Sequence, residues 1–206
     1  SRLSVPFTMG VTEEWLAKKT RILLVGQETY LWRNDPQDGA WLPFGGFCLN
    51  DIHQNVISYE EDLPNVSSSL SRTPFWRLYS QLCNGGAAVL WTNACRVDAI
   101  SEVDANGTPT KQLKRNTSVA SNLSFEQKAV LCRAQEGVLR GEIEILNPDL
   151  VILCIGPRYT QFVVSEIPQY SIVGPTLKEP WAISTNKANV EMAKLVISSY
   201  HPGYMN

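Results

Sequence analysis

Four short segments carry side chains able to take part in chemistry: Val25-Gly-Gln-Glu-Thr-Tyr30, Pro43-Phe-Gly-Gly46, Trp91-Thr-Asn-Ala94 and Ser199-Tyr-His-Pro-Gly203. Together they supply a carboxylate (Glu28), two amides (Gln27 and Asn93), an imidazole (His201) and aromatic rings, Tyr30 and Phe44 among them. A carboxylate can steady a water or a developing positive charge, and a neutral imidazole can donate to a developing negative one. Asn93 offers one acceptor and two donors, enough to read the edge of a planar ring that bears both kinds of group. Singly, each has a bland explanation: a histidine before proline as a loop residue, an asparagine at a strand end as a turn residue, a lone glutamate as a solvated carboxylate. Their placement is more informative, because Gln27, Asn93, Gly156 and His201 each follow an apolar run. In parallel sheets, functional groups gather beyond the carboxyl ends of the strands.

The elements that would position these residues can be read from apolar runs and capping signals. Arg21–Gly26, Ala87–Asn93, Leu150–Ile155 and the run from Leu195 read as buried strands. Thr12 can cap a short helix to about Lys19. Thr73-Pro74 starts a second helix, with Phe75, Leu78, Tyr79 and Leu82 on one face, and Gly85-Gly86 ends it. Ser124-x-x-Gln127 is a capping box that opens the longest expected helix, through Cys132, Leu139, Ile143 and Leu146 to Asn147-Pro148. Gly156-Pro157 opens another, through Phe162 and Val163. Alternating elements with continuously apolar strands predict an α/β fold: a three-layer α/β/α sandwich around a four-stranded, mainly parallel sheet, as a single domain over 1–206. The segment 27–72 is rich in Pro, Gly, Asn, Asp and Ser and carries scattered aromatics, among them Trp32, Trp41 and Phe47; it reads as site-forming or as containing short helices. The segment 99–122, with Lys111, Lys114 and Arg115, reads as an excursion that could touch a ligand.

Composition bounds the class. With 206 residues, 44% hydrophobic and 9% aromatic, the chain can build a core without disulfides or a structural metal. Its longest apolar stretches fall far short of the roughly 20 residues that span a bilayer, so no membrane partner is expected. The 18 basic and 20 acidic residues give a net charge of −2, which disfavours nucleic-acid binding by bulk charge and leaves a local basic groove open. Five cysteines, odd in number and without a C-x-x-C pair, fit reduced thiols. No basic-then-apolar leader opens the chain. A cytoplasmic protein, or a nuclear one in a eukaryote, is expected, as a monomer.

Taken in order, the four segments resemble the uracil-DNA glycosylase superfamily, over about Ile22 to Met205. The first is similar to that family's G-Q-D-P-Y water-activating loop, with Glu28 for Asp and Thr29 for Pro. The second is similar to the P-F-x-G segment whose ring stacks on the extruded base, which points to Phe44. The third resembles the strand whose asparagine reads the base, here Asn93. The fourth resembles the H-P-S loop with its catalytic histidine, here His201, with Gly203 for Ser. The resemblance implies hydrolysis of the N-glycosidic bond of a flipped-out pyrimidine, uracil first, in single- or double-stranded DNA. Glu28 would position or deprotonate water, His201 would donate to the base oxyanion, the Gln27 backbone amide would help hold the base, and Tyr30 would crowd C5 and exclude thymine. Lys111, Lys114, Arg115 and Tyr204 would contact DNA. Cys95 and Cys132 resemble two ligand positions of the iron–sulfur members; the other two normally precede the first strand, and 1–20 contains no cysteine. No metal or cofactor is therefore expected. Glu28 and Thr29 alter the water geometry of the family pattern, which leaves three other readings: a glycosylase for a modified cytosine in phage DNA, a non-catalytic nucleic-acid or protein-binding module, and a hydrolase of free nucleosides or nucleotides.

Overall fold

The computed structural model describes residues 2–3, 8–28, 42–43, 56–57, 59, 73–96, 99–100, 124–157, 159–168, 170–172, 175–176, 178–186 and 195–202, with backbone alone at 2–3, 28, 42–43, 99–100 and 185–186. The chain is an α/β protein built on a mixed, mostly parallel sheet. Its strands are β2 (Arg21–Glu28), β4 (Ala88–Cys95), β6 (Leu150–Cys154), β7 (Tyr170–Ser171), β8 (Trp181–Asn186) and β9 (Leu195–Ser199), in the order β4-β2-β6-β9-β8-β7. The first four run parallel, whereas β8 is antiparallel to β9 and β7 to β8. The short strands β1 (Arg2–Leu3), β3 (Leu42–Pro43) and β5 (Ala99–Ile100) make a separate antiparallel ribbon.

All four expected parallel strands are present, for the expected reason: Leu23, Leu24, Val25, Leu90, Val151, Leu153 and Val196 are buried, as continuous apolar runs in parallel strands require. The expected four-stranded sheet is corrected by the two antiparallel strands. Trp181 and Ile183 of β8 are exposed, so no continuous buried run announces that strand. Sheet edge β4 is managed by a side chain. The hydroxyl of Tyr59 accepts from the Trp91 N–H at 2.9 Å and donates to the Trp91 carbonyl at 3.0 Å, serving both groups that a further strand would have paired.

The helices follow their capping chemistry. In α1 (Glu13–Ala17), Thr12 accepts from the Trp15 N–H at 3.3 Å, and Trp15 is buried. Helix α2 (Pro74–Asn84) has Pro at its start, buries Phe75 and Tyr79, and ends at Gly85-Gly86, where Gly86 takes φ +90°. Expected as one long helix, 124–147 is instead two, α3 (Phe125–Ala134) behind the capping box and α4 (Val138–Leu146). The break falls at Gly137, whose φ of +84° lies in the left-handed region that glycine enters without strain. Gly137 has no side chain with which to cap α4, and the buried Glu166 does so from a distance, accepting from the Gly137 N–H at 2.9 Å and the Arg140 N–H at 3.4 Å. Helix α5 (Thr160–Val164) follows β6 and buries Phe162 and Val163. Among the described residues no helix is long and apolar enough to cross a membrane.

Candidate active site

The strand order fixes where a ligand crevice opens. From β2 the chain moves outward to β4, then crosses back to β6 on the other side of β2, so the topological switch point lies between β2 and β6 at their carboxyl ends. Ligands of open α/β sheets bind at such a point. Gln27 stands there. Its Nε2 donates to the Ile155 carbonyl at 2.9 Å, tying the end of β2 to the residue after β6. Beside it Gly156 turns the chain with φ +63°; its N–H donates to the Ser199 carbonyl at 3.2 Å, which joins β6 to the end of β9.

Asn93 enters from the other side of β2. In register it pairs with Gly26, and its side chain lies over that glycine: a Cβ at Gly26 would stand 2.6 Å from Asn93 Oδ1 and 3.5 Å from the Phe75 ring. Glycine at 26 is thus required by close approach. Asn93 is 3% exposed, and among the described residues its Nδ2 is a buried donor without a hydrogen-bond partner. Buried amides are almost always satisfied, since an unpaired one costs about 1–3 kcal/mol.

While the amide is open, the backbone around it is clamped. Arg96 Nη1 donates to the Asn93 carbonyl at 3.1 Å, Gln135 Nε2 donates to the Ala94 carbonyl at 2.8 Å, and Gln135 Oε1 accepts from the Arg96 N–H at 3.1 Å. Arg96, itself buried, is ion-paired to Glu142 of α4, which also accepts from Thr92 Oγ1 at 3.2 Å. Burial raises the Glu142 carboxyl above its ordinary range, and the Arg96 guanidinium and Thr92 hydroxyl oppose that rise.

His201 follows β9 and is half-buried, its ring lying parallel to that of Phe75 (2°, centroids 5.6 Å apart). Burial lowers its pKa below the ordinary histidine value, which favours the neutral imidazole. Phe75 is gripped edge-on by Trp76 (5.2 Å) and Trp91 (6.5 Å). The structure therefore brings Asn93 and the Phe75 ring to Gly26 and sets the His201 ring parallel to Phe75, with Gln27 at the adjoining crevice. Glu28 ends β2 opposite Cys95, and its side chain lies outside the described residues, as do Tyr30, Phe44, Lys111, Lys114, Arg115 and Tyr204.

Sequence reasoning missed Phe75, Arg96, Gln135 and Glu142. Phe75 was read as a core residue of its helix, and only the fold shows that its ring also reaches the site. Arg96, three residues beyond Asn93, offered a local signal; Gln135 and Glu142 offered none. Among the described residues no three His, Cys, Asp or Glu side chains are grouped to hold a metal ion; Cys95 is buried and Cys132 partly so. Neither any family model nor any curated protein compared with the chain matches it.

Proposed function

We propose that the chain is a DNA glycosylase that hydrolyses the N-glycosidic bond of a flipped-out pyrimidine, with uracil as the leading base. The observation that carries the reading is the buried Asn93 amide, held by a clamped backbone with Nδ2 unpartnered among the described residues. A base edge is a ligand that would satisfy it: Nδ2 can donate to a keto oxygen of uracil, while the same amide turned over would suit the edge of cytosine, so the preference for uracil comes from the resemblance. Burial favours the neutral form of His201, the form that would donate to the oxyanion developing on the leaving base. In this reading Glu28 holds the attacking water, Phe44 stacks on the base, Tyr30 limits its 5-substituent, and Lys111, Lys114, Arg115 and Tyr204 meet the DNA of a monomeric cytoplasmic or nuclear enzyme. The finer architecture belongs to the same proposal: a sheet with helices on both faces. Supporting it, Thr92 meets Glu142 of α4, while the next side chain, Asn93, meets the face that carries Phe75 of α2.

The test incubates the protein with end-labelled single- and double-stranded oligonucleotides containing uracil, hypoxanthine, or hydroxymethylated or glucosylated cytosine, then cuts abasic sites with alkali. The expected result is cutting at uracil that is lost in Glu28→Gln and reduced in His201→Ala. Cutting confined to modified cytosine would defeat the uracil assignment. Excision unchanged in both variants, or binding without cutting, would overturn the glycosylase reading.

A further inference from the structure

Phe75 has a surrounding that its place on a helix does not require. Its ring carries the imidazole of His201 on one face, stands edge-to-face with Trp76 and Trp91, and approaches the Gly26 backbone beside the Asn93 amide. Trp76 and Trp91 in turn meet edge-on at 5.0 Å, and Tyr79 meets Trp76 at 5.6 Å, so the ring cannot turn without moving a packed aromatic cluster. The imidazole sits just beyond β9, one residue before Pro202.

We propose that Phe75 is a positioning residue of His201, helping to fix the plane of the imidazole by parallel stacking. A ring held in one plane aims its N–H in one direction, and a donor that is already aimed stabilises a developing oxyanion without reorganising. The offset stack sets hydrocarbon beside the imidazole, in keeping with its lowered pKa, for which burial is the cause among the described residues. The task given to His201 rests on the glycosylase reading; the stack itself does not.

Two measurements keep these apart. Of the two histidines, His53 and His201, the second is assigned in ¹³C-histidine NMR spectra by His201→Gln. In the unaltered protein the His201 ring protons should be shifted upfield by the Phe75 ring current and should titrate below the ordinary value. In Phe75→Leu the upfield shift should vanish and the pKa should move up toward about 6.5. Leu139→Ala, at a buried site on α4, serves as the matched core lesion and should leave both unchanged. With uracil-containing DNA, Phe75→Leu should lower kcat by about tenfold to a hundredfold while KM stays within about twofold. Ring protons at free-histidine positions in the unaltered protein overturn the proposal without any variant, as does a His201 pKa that Phe75→Leu leaves in place. A disturbed His201 with no excision of any base would leave the stack standing and overturn the glycosylase reading alone.

Discussion

Adding a single methyl group at Gly26 tests the geometry of the site. The Cβ of Gly26→Ala would stand 2.6 Å from Asn93 Oδ1, and an ordinary C···O contact is about 3.3 Å, so about 0.7 Å must be found. Gly26 does not have a positive φ, so the new residue suits the backbone and the conflict is steric alone. The Phe75 ring, 3.5 Å from the same point, closes one way out, and the clamp on the Asn93 carbonyl resists a shift of the strand. Overpacking of this kind costs about 1–3 kcal/mol, reduced by about 0.5–1 kcal/mol because alanine has less freedom to lose on folding. A net loss of about 1–2 kcal/mol by urea denaturation is expected. The effect on function should be larger: a displacement approaching 1 Å in a group that must meet its target can cost about a hundredfold, so kcat/KM on uracil-containing DNA should fall by about that factor. Gly26→Ala with undiminished stability would show that Asn93 does not lie over Gly26, and undiminished excision would show that its amide does not read the base.

Three further outcomes are expected. Asn93→Leu removes an unsatisfied buried donor whose cost is about 1–3 kcal/mol, so it should leave stability equal or raised while abolishing excision; marked destabilisation would mean that the amide has a structural partner. Arg96→Met leaves Glu142 without its partner and should cost about 3 kcal/mol, most of it recovered in Arg96→Met/Glu142→Leu; a double variant no more stable than the single would sink the ion-pair account. Because the His201 pKa is lower in the folded chain than in the unfolded one, its contribution to stability is present above about pH 6.5 and is lost as pH falls through the folded value. His201→Gln should flatten that limb of a stability-against-pH curve, and an unchanged curve would contradict the burial of the imidazole.

The four parallel strands were legible because each is a continuous apolar run that only a sheet covered on both faces explains, and α2 because Pro74 and Gly85-Gly86 mark its ends. Helices α3 and α4 read as one because the apolar spacing continues from Cys132 to Leu139 across the turn. Glu136-Gly137 was the available signal, but its meaning depends on Glu166, 29 residues away in sequence, which takes over the capping. Strand β8 exposes alternate apolar side chains and sits antiparallel at the far side of β9, so neither its burial nor its direction was written locally. Of the site, Asn93 and His201 were legible as polar residues closing apolar runs. Their meeting through Phe75 was not, since it joins positions far apart in the chain by a contact that no periodicity encodes.

The two sides of β4 are treated differently, and the difference argues for a site rather than an accident of folding. At its outer edge, where a neighbouring strand would have served them, the Trp91 backbone groups are met by Tyr59 and the Asn93 carbonyl by Arg96. On the face toward α4, Thr92 finds Glu142. Gln135, 41 residues from Ala94 in sequence, adds one more hydrogen bond to the strand's end. On the face that carries Phe75, Asn93 has its Nδ2 unserved among the described residues, although replacing the asparagine with an apolar residue would remove the cost. The clamped backbone holds the amide in place, and an acceptor brought to Nδ2 would satisfy it. In the proposed glycosylase this is preorganisation: the cost of holding the donor would be met in folding, and a base edge delivered to the end of β4 would gain the hydrogen bond without ordering the group that makes it.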